Sequence, residues 1–170
     1  MPVPLEQLNR MNGPDFAATL GGIFERSPWV AERAFDSRPF ASVEALHDAM
    51  TRVVRRASRE AQLGLLRAHP DLAGRLARAG AMSDQSVAEQ ASAGLDRLTA
   101  EEGERFDRLN AAYRERFGFP FIIAVRRHTR AGILDAFERR LAHTVDQEVD
   151  AALAEVFEIA RLRLLERIGV

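Results

Sequence analysis

The sequence predicts an all-α protein, on three observations. Apolar residues recur at helical spacing through almost the whole chain. Capping residues and glycine or proline stand where those stretches start and stop. Only one apolar stretch, FPFIIAV at Phe119–Val125, reads as extended. With 170 residues, 46% apolar and 29% charged, the chain can bury a sizeable core as one globular domain. The expectation is a single compact domain over 1–170, of about eight helices and one short extended segment near 119–125.

Taken in order, Phe16, Leu20, Ile23 and Phe24 make the first apolar stripe, opened by NGPD. Ser27-Pro28 reads as a cap and first turn for a short helix through Phe35. After the loop RPFAS, Ser42 caps a helix with Val43, Leu46, Met50, Val53 and Val54 inward. The next helix runs from Arg59 to Ala68 and stops at His69-Pro70, because proline holds the residue before it extended. A short helix is expected near Leu72–Ala79, and Ser83 caps another through Ala91. Thr99-Ala-Glu-Glu102 has the spacing of a capping box, and its helix buries Phe106, Leu109, Tyr113 and Phe117 before Gly118 ends it. Beyond Phe119–Val125, one helix turns Ile133, Leu134, Phe137 and Leu141 inward. A long one from Asp146 to Arg167 buries Val149, Leu153, Val156, Phe157, Ala160 and Leu164.

Composition removes several chemistries. A formal net charge of −1 demands no polyanionic partner, and no apolar run approaches the roughly 20 residues that span a bilayer. The start lacks the basic and apolar regions of a signal peptide, so the expected compartment is the cytoplasm. Without cysteine there is no disulfide, thiolate nucleophile or Cys-based metal site. All 24 basic residues are arginine, which removes lysine Schiff-base chemistry. The chain has no Gly-rich phosphate loop, no paired histidines at metal-ligand spacing and no nucleophile elbow.

Four places could carry chemistry. His69 stands at a helix break, as a hinge or as a titratable group projecting into a site. Ser86, Glu89 and Gln90 share a helix face beside Ala88, Ala91, Ala93 and Gly94, which is either room for a ligand or a solvated helix start. The extended segment needs partners for its backbone, from another part of the chain or from a ligand. Arg163 borders a buried face and is either an anion anchor or a side chain that snorkels to water. The other histidines, His47, His128 and His143, read as structural or idle.

These segments resemble the 2-oxo-4-hydroxy-4-carboxy-5-ureidoimidazoline (OHCU) decarboxylases of urate breakdown. The resemblance is carried by AHPDLAG (68–74), SVAEQASAGLDRL (86–98), NAAYRERFGFPFIIAVR (110–126), ILDAFERRL (133–141) and IARLRL (159–164), in that order. It implies an all-helical, cofactor-free homodimer with no metal, which converts the small molecule OHCU to (S)-allantoin. By position it makes His69 catalytic with Glu89 as its partner. It places Pro70, Ser86, Gln90 and Arg163 on substrate, together with the backbone of Phe119, Phe121, Ile122 and Ile123. Arg127 and His143 depart from the family pattern, which usually has glycine and often asparagine there. The competing reading is an Arg-rich helical binding module for nucleic acid or a regulatory partner, suggested by Arg55-Arg56, Arg126-Arg127 and Arg139-Arg140. Against it, those arginines are interleaved with acids and have few aromatics for base stacking.

Overall fold

A computed structural model of the chain describes residues 1–73 and 82–170. Among the described residues there are nine α-helices, two 3₁₀ turns and no strand, so the chain is all-α as its periodicity predicts. None of these helices is long and apolar enough to cross a membrane. By packing, the chain divides into two compact units, Met1–Ala68 with Phe157–Val170, and His69–Val156.

The first unit holds α1 (Leu5–Arg10), α2 (Gly13–Leu20), α3 (Trp29–Ala34), α4 (Val43–Arg56), α5 (Arg59–Arg67) and the later turns of α9 (Val145–Ile168). The six-residue α1 is too short to show a period and was not expected. Helix α2 ends at Leu20, yet Ile23 and Phe24 stay fully buried in the turn that follows. Ser42 and Ser58 cap α4 and α5 by accepting from Ala45 N–H and Ala61 N–H, each at 3.1 Å. Ser27 does not cap α3; its hydroxyl donates to the Glu25 carbonyl instead.

The second unit holds α6 (Asp84–Ser92), α7 (Ala100–Phe117), α8 (Arg130–Arg140) and the early turns of α9. Both bonds of the Thr99/Glu102 capping box are present, and Thr129 caps α8 through Gly132 N–H. At the other end of α7, Gly118 takes φ 76°, a left-handed conformation that costs glycine little and lets the chain leave the helix. Tyr113 is the centre of the core here, with its ring against Phe117, Phe119, Phe121 and Phe137. Phe121 stacks on Phe137 with centroids 3.9 Å apart, so two rings seat the extended segment on α7 and α8. Leu109, Leu134 and Leu141 here, and Val43, Val53 and Phe157 in the first unit, lie at the margins of their apolar stripes and are only half-buried. The short helix expected near Leu72–Ala79 lies mostly outside the described residues; Leu72 and Ala73 themselves form a turn.

Candidate active site

Helix α5 closes at Ala68, and the chain turns through His69 and Pro70 as the proline requires. His69 is buried, with 7% of its surface exposed. The residues that follow it are fixed one after another. Arg114 Nε donates to Asp71 Oδ1 at 2.8 Å, and Asn110 Nδ2 donates to the Leu72 carbonyl at 2.8 Å. Ala73 N–H donates to Gln90 Oε1 at 2.9 Å, while Gln90 Nε2 returns to the Asp71 carbonyl at 3.3 Å. Ala73 is held at φ 49°, a conformation that costs a non-glycine residue about 1 kcal/mol or more and persists only where neighbours enforce it. This junction is clamped from α6 and α7, which is unlike a hinge.

Helix α6 inverts the usual amphipathic rule. Its buried residues are Ser86, Glu89 and Gln90, at 5%, 9% and 6% exposure, while Val87 is exposed. A solvated face is therefore excluded. Burying a carboxylate is costly unless polar groups meet it, so a helix that turns its polar side inward marks a functional surface. The same helix packs against the 3₁₀ turn Val125–Arg127, which ends the extended segment. Through Gln90 and this packing, α6 links the His69 loop to the segment around 119–124.

Phe119, Phe121, Ile122, Ile123 and Ala124 are all buried. Arg140 Nη1 donates to the Ile122 carbonyl at 2.7 Å, and Ala124 N–H donates to Glu155 Oε2 at 3.0 Å. Among the described residues, no protein group is hydrogen-bonded to the N–H of Phe121, Ile122 or Ile123. Buried backbone donors are nearly always paired, so this short run is a place where a ligand can supply the acceptors.

Arg140 is itself held. Its Nε donates to Glu148 Oε1 at 2.7 Å, and its guanidinium lies over the Phe121 ring. Glu148 is fully buried; it also accepts from Tyr113 Oη at 2.5 Å and meets His143 Nδ1 at 2.9 Å. Burial and the Glu148 carboxylate raise the Tyr113 pKa, in that order. The unfolded chain therefore loses the tyrosine proton near pH 10 while the folded chain keeps it, so this stability is complete below about pH 10 and is lost as pH rises further. The sequence has one tyrosine, no lysine and no cysteine, so no other side chain normally titrates between about pH 9 and 11.5. Urea midpoints should fall above about pH 10, with the ultraviolet signal of tyrosinate appearing as the chain unfolds. In Tyr113→Phe the alkaline fall should disappear, and its persistence would exclude Tyr113 as the cause.

In the first unit, Arg163 does not snorkel. It lies 2.9 Å from Glu25 with both side chains 2% exposed, and its Nη1 donates to the Gly22 carbonyl at 3.1 Å. The anion it reaches there is a carboxylate of the same unit. His47 is half-buried and bonded to the Phe157 carbonyl at 2.8 Å, a structural position, and His128 is exposed. The Arg139-Arg140 pair is no basic surface, since Arg140 is buried on Glu148.

Sequence reasoning missed Asp71, Asn110, Arg114, Arg140, Glu148 and Glu155. Arg140 and Glu148 had a usable signal, because a charge falling on the apolar stripe of a helix must be paired. Asn110 and Arg114 had none, since their partner is a loop 43 residues away or less in sequence.

The whole arrangement lies within a family match. The model of the family described as OHCU decarboxylase matches residues 9–165. The chain is 54% identical over 163 residues to the 2-oxo-4-hydroxy-4-carboxy-5-ureidoimidazoline decarboxylase of Haloferax volcanii, covering 96% of this chain and 95% of that one. It is 45% identical to the uric acid degradation bifunctional protein of Bacillus subtilis, covering 95% of this chain but 32% of that longer one. A solved structure of (S)-allantoin synthase superposes with a TM-score of 0.77 at 37% identity, covering 98% of this chain and 54% of the solved chain.

Proposed function

The chain belongs to the OHCU decarboxylase family, and on that premise we propose that it decarboxylates OHCU to (S)-allantoin in urate degradation, with His69 moving the proton and Glu89 assisting. The observation that carries this reading is the buried polar face of α6, which includes the carboxylate that the resemblance pairs with His69. Pro70, Ser86 and Gln90 border the substrate, and the N–H groups of the 119–123 segment hold it. Gln90 does so while its amide also fixes the loop after His69. For Arg163 the support is the family resemblance alone.

The chemistry asks little of a cofactor. When the carbon–carboxylate bond breaks and CO₂ leaves, the electron pair passes into the neighbouring C=N of the substrate ring. The resulting enol, with its hydroxyl on the carbon that lost CO₂, takes a proton on the neighbouring carbon. Its O–H proton passes to the ring nitrogen and the carbonyl forms; the face that receives the carbon-bound proton sets the hand of the product. The protein has to hold the carboxylate out of the ring plane, stabilise the developing charge and deliver one proton. An imidazole titrates near neutrality and suits that transfer, and a carboxylate beside it fixes its orientation. Backbone N–H donors fixed in place stabilise negative charge without reorganising. A homodimer is what the resemblance implies, while cytoplasmic residence and the lack of nucleic-acid or membrane partners remain expectations from composition and charge.

The direct test feeds freshly prepared OHCU and follows CO₂ release with the optical rotation of the product. Accelerated release with a product whose sign and size of rotation match authentic (S)-allantoin is expected, unchanged by EDTA and dialysis. Racemic product at the uncatalysed rate would refute the assignment, and loss on chelation restored by a divalent ion would refute the cofactor-free mechanism.

A further inference from the structure

We propose that Arg140 and Glu155 are positioning residues for the reaction, holding the two peptide planes that flank Ile123. The inference rests on the proposed function and goes beyond it, since neither residue belongs to the group that touches substrate.

A peptide unit is planar and trans, so fixing its carbonyl fixes the direction of its N–H. The Ile122 carbonyl and the Ile123 N–H belong to one such plane, and Arg140 Nη1 grips that carbonyl at 2.7 Å. The Ile123 N–H must then point away from Arg140. The next plane contains the Ile123 carbonyl and the Ala124 N–H, and Glu155 Oε2 grips that N–H at 3.0 Å. Each plane is thus tied at one end to a charged side chain. Among the described residues, no protein group is hydrogen-bonded to the other ends, the N–H and carbonyl of Ile123. A donor and an acceptor on one residue suit a ureide, whose N–H and C=O alternate along its edge.

The grip is built to be stiff. Arg140 is buried, is aligned by Glu148 through Nε, and rests on the Phe121 ring. Glu148 is aligned in turn by Tyr113 Oη. Glu155 stands on α9, half-buried, and reaches the segment from another helix. A hydrogen-bonded charge at each plane is stronger than a neutral contact and leaves the backbone little freedom to tilt.

Three variants test this in steady-state kinetics on OHCU, with circular dichroism and thermal melting as folding controls. Arg140→Lys keeps a positive charge beside Glu148, but one ammonium cannot fork to both Glu148 and the Ile122 carbonyl. Glu155→Ala removes the acceptor for Ala124 N–H, whereas Glu155→Gln keeps one. Because the tied planes hold substrate before and during reaction alike, KM should rise about 10- to 100-fold in Arg140→Lys and Glu155→Ala, with kcat much less affected. Glu155→Gln should return KM close to that of the parent. Folded Arg140→Lys and Glu155→Ala proteins with parental KM would overturn the proposal while leaving the decarboxylase reading intact. If Arg140→Lys does not fold, the comparison of Glu155→Ala with Glu155→Gln decides, and equal KM values overturn it. Parent protein that fails to accelerate OHCU decay removes the proposed function, and this inference with it.

Discussion

Replacing His69 by alanine or asparagine is expected to lower kcat for OHCU by about 10²- to 10⁴-fold, the usual worth of a positioned proton-transfer group. Helicity should be unchanged, because His69 lies after the last turn of α5 and its loop is held by Arg114, Asn110 and Gln90. Asparagine is the sharper variant, since it fills much of the buried volume that alanine would empty. Glu89→Gln adds the second half of the test. It keeps shape and removes charge, so it should depress kcat more than KM and move the acidic limb of the pH profile if Glu89 orients or tunes the imidazole. A folded His69→Asn protein with parental turnover would make His69 structural and end the mechanism. A Glu89→Gln protein altered only in KM would make the carboxylate a binding group.

The second large effect is on stability. Arg163→Ala should destabilise the protein by about 3–5 kcal/mol, because it removes the buried guanidinium that the Glu25 carboxylate meets at 2.9 Å. That is a large part of the roughly 5–15 kcal/mol that holds a domain together, so the loss should be plain in a urea midpoint. It also bares the Gly22 carbonyl. The double variant Glu25→Gln/Arg163→Met should recover most of the loss, since removing both charges of a buried pair is often close to neutral. An Arg163→Ala protein as stable as the parent would show that the pair is solvated. Kinetics on the same variant, measured where it remains folded, address the resemblance separately. A raised KM is expected from a substrate contact, and an unchanged KM would leave Arg163 as half of a structural ion pair.

Much of this molecule is determined by the sequence alone, because the decisive physics is local. Helical periods, the Thr99/Glu102 box, the Ser42 and Ser83 caps, the His69-Pro70 break and the Gly118 exit each depend on residues within about four positions of one another. The long motifs carried the family for the same reason, since order and spacing are properties of the chain. Tertiary structure decided which polar residues are inside. Ser86 and Glu89 could have been a solvated face, and only packing shows α6 turning them inward and Val87 outward. Arg163 could have reached water, and only the fold brings it to Glu25, 138 positions earlier in the chain. Arg140 reads as half of a basic pair until α9 places Glu148 beside it, and Glu155, which no local pattern singles out, is met by the Ala124 N–H. Burial and the partner of a charge are set by segments distant in sequence, and a local pattern has no term for either.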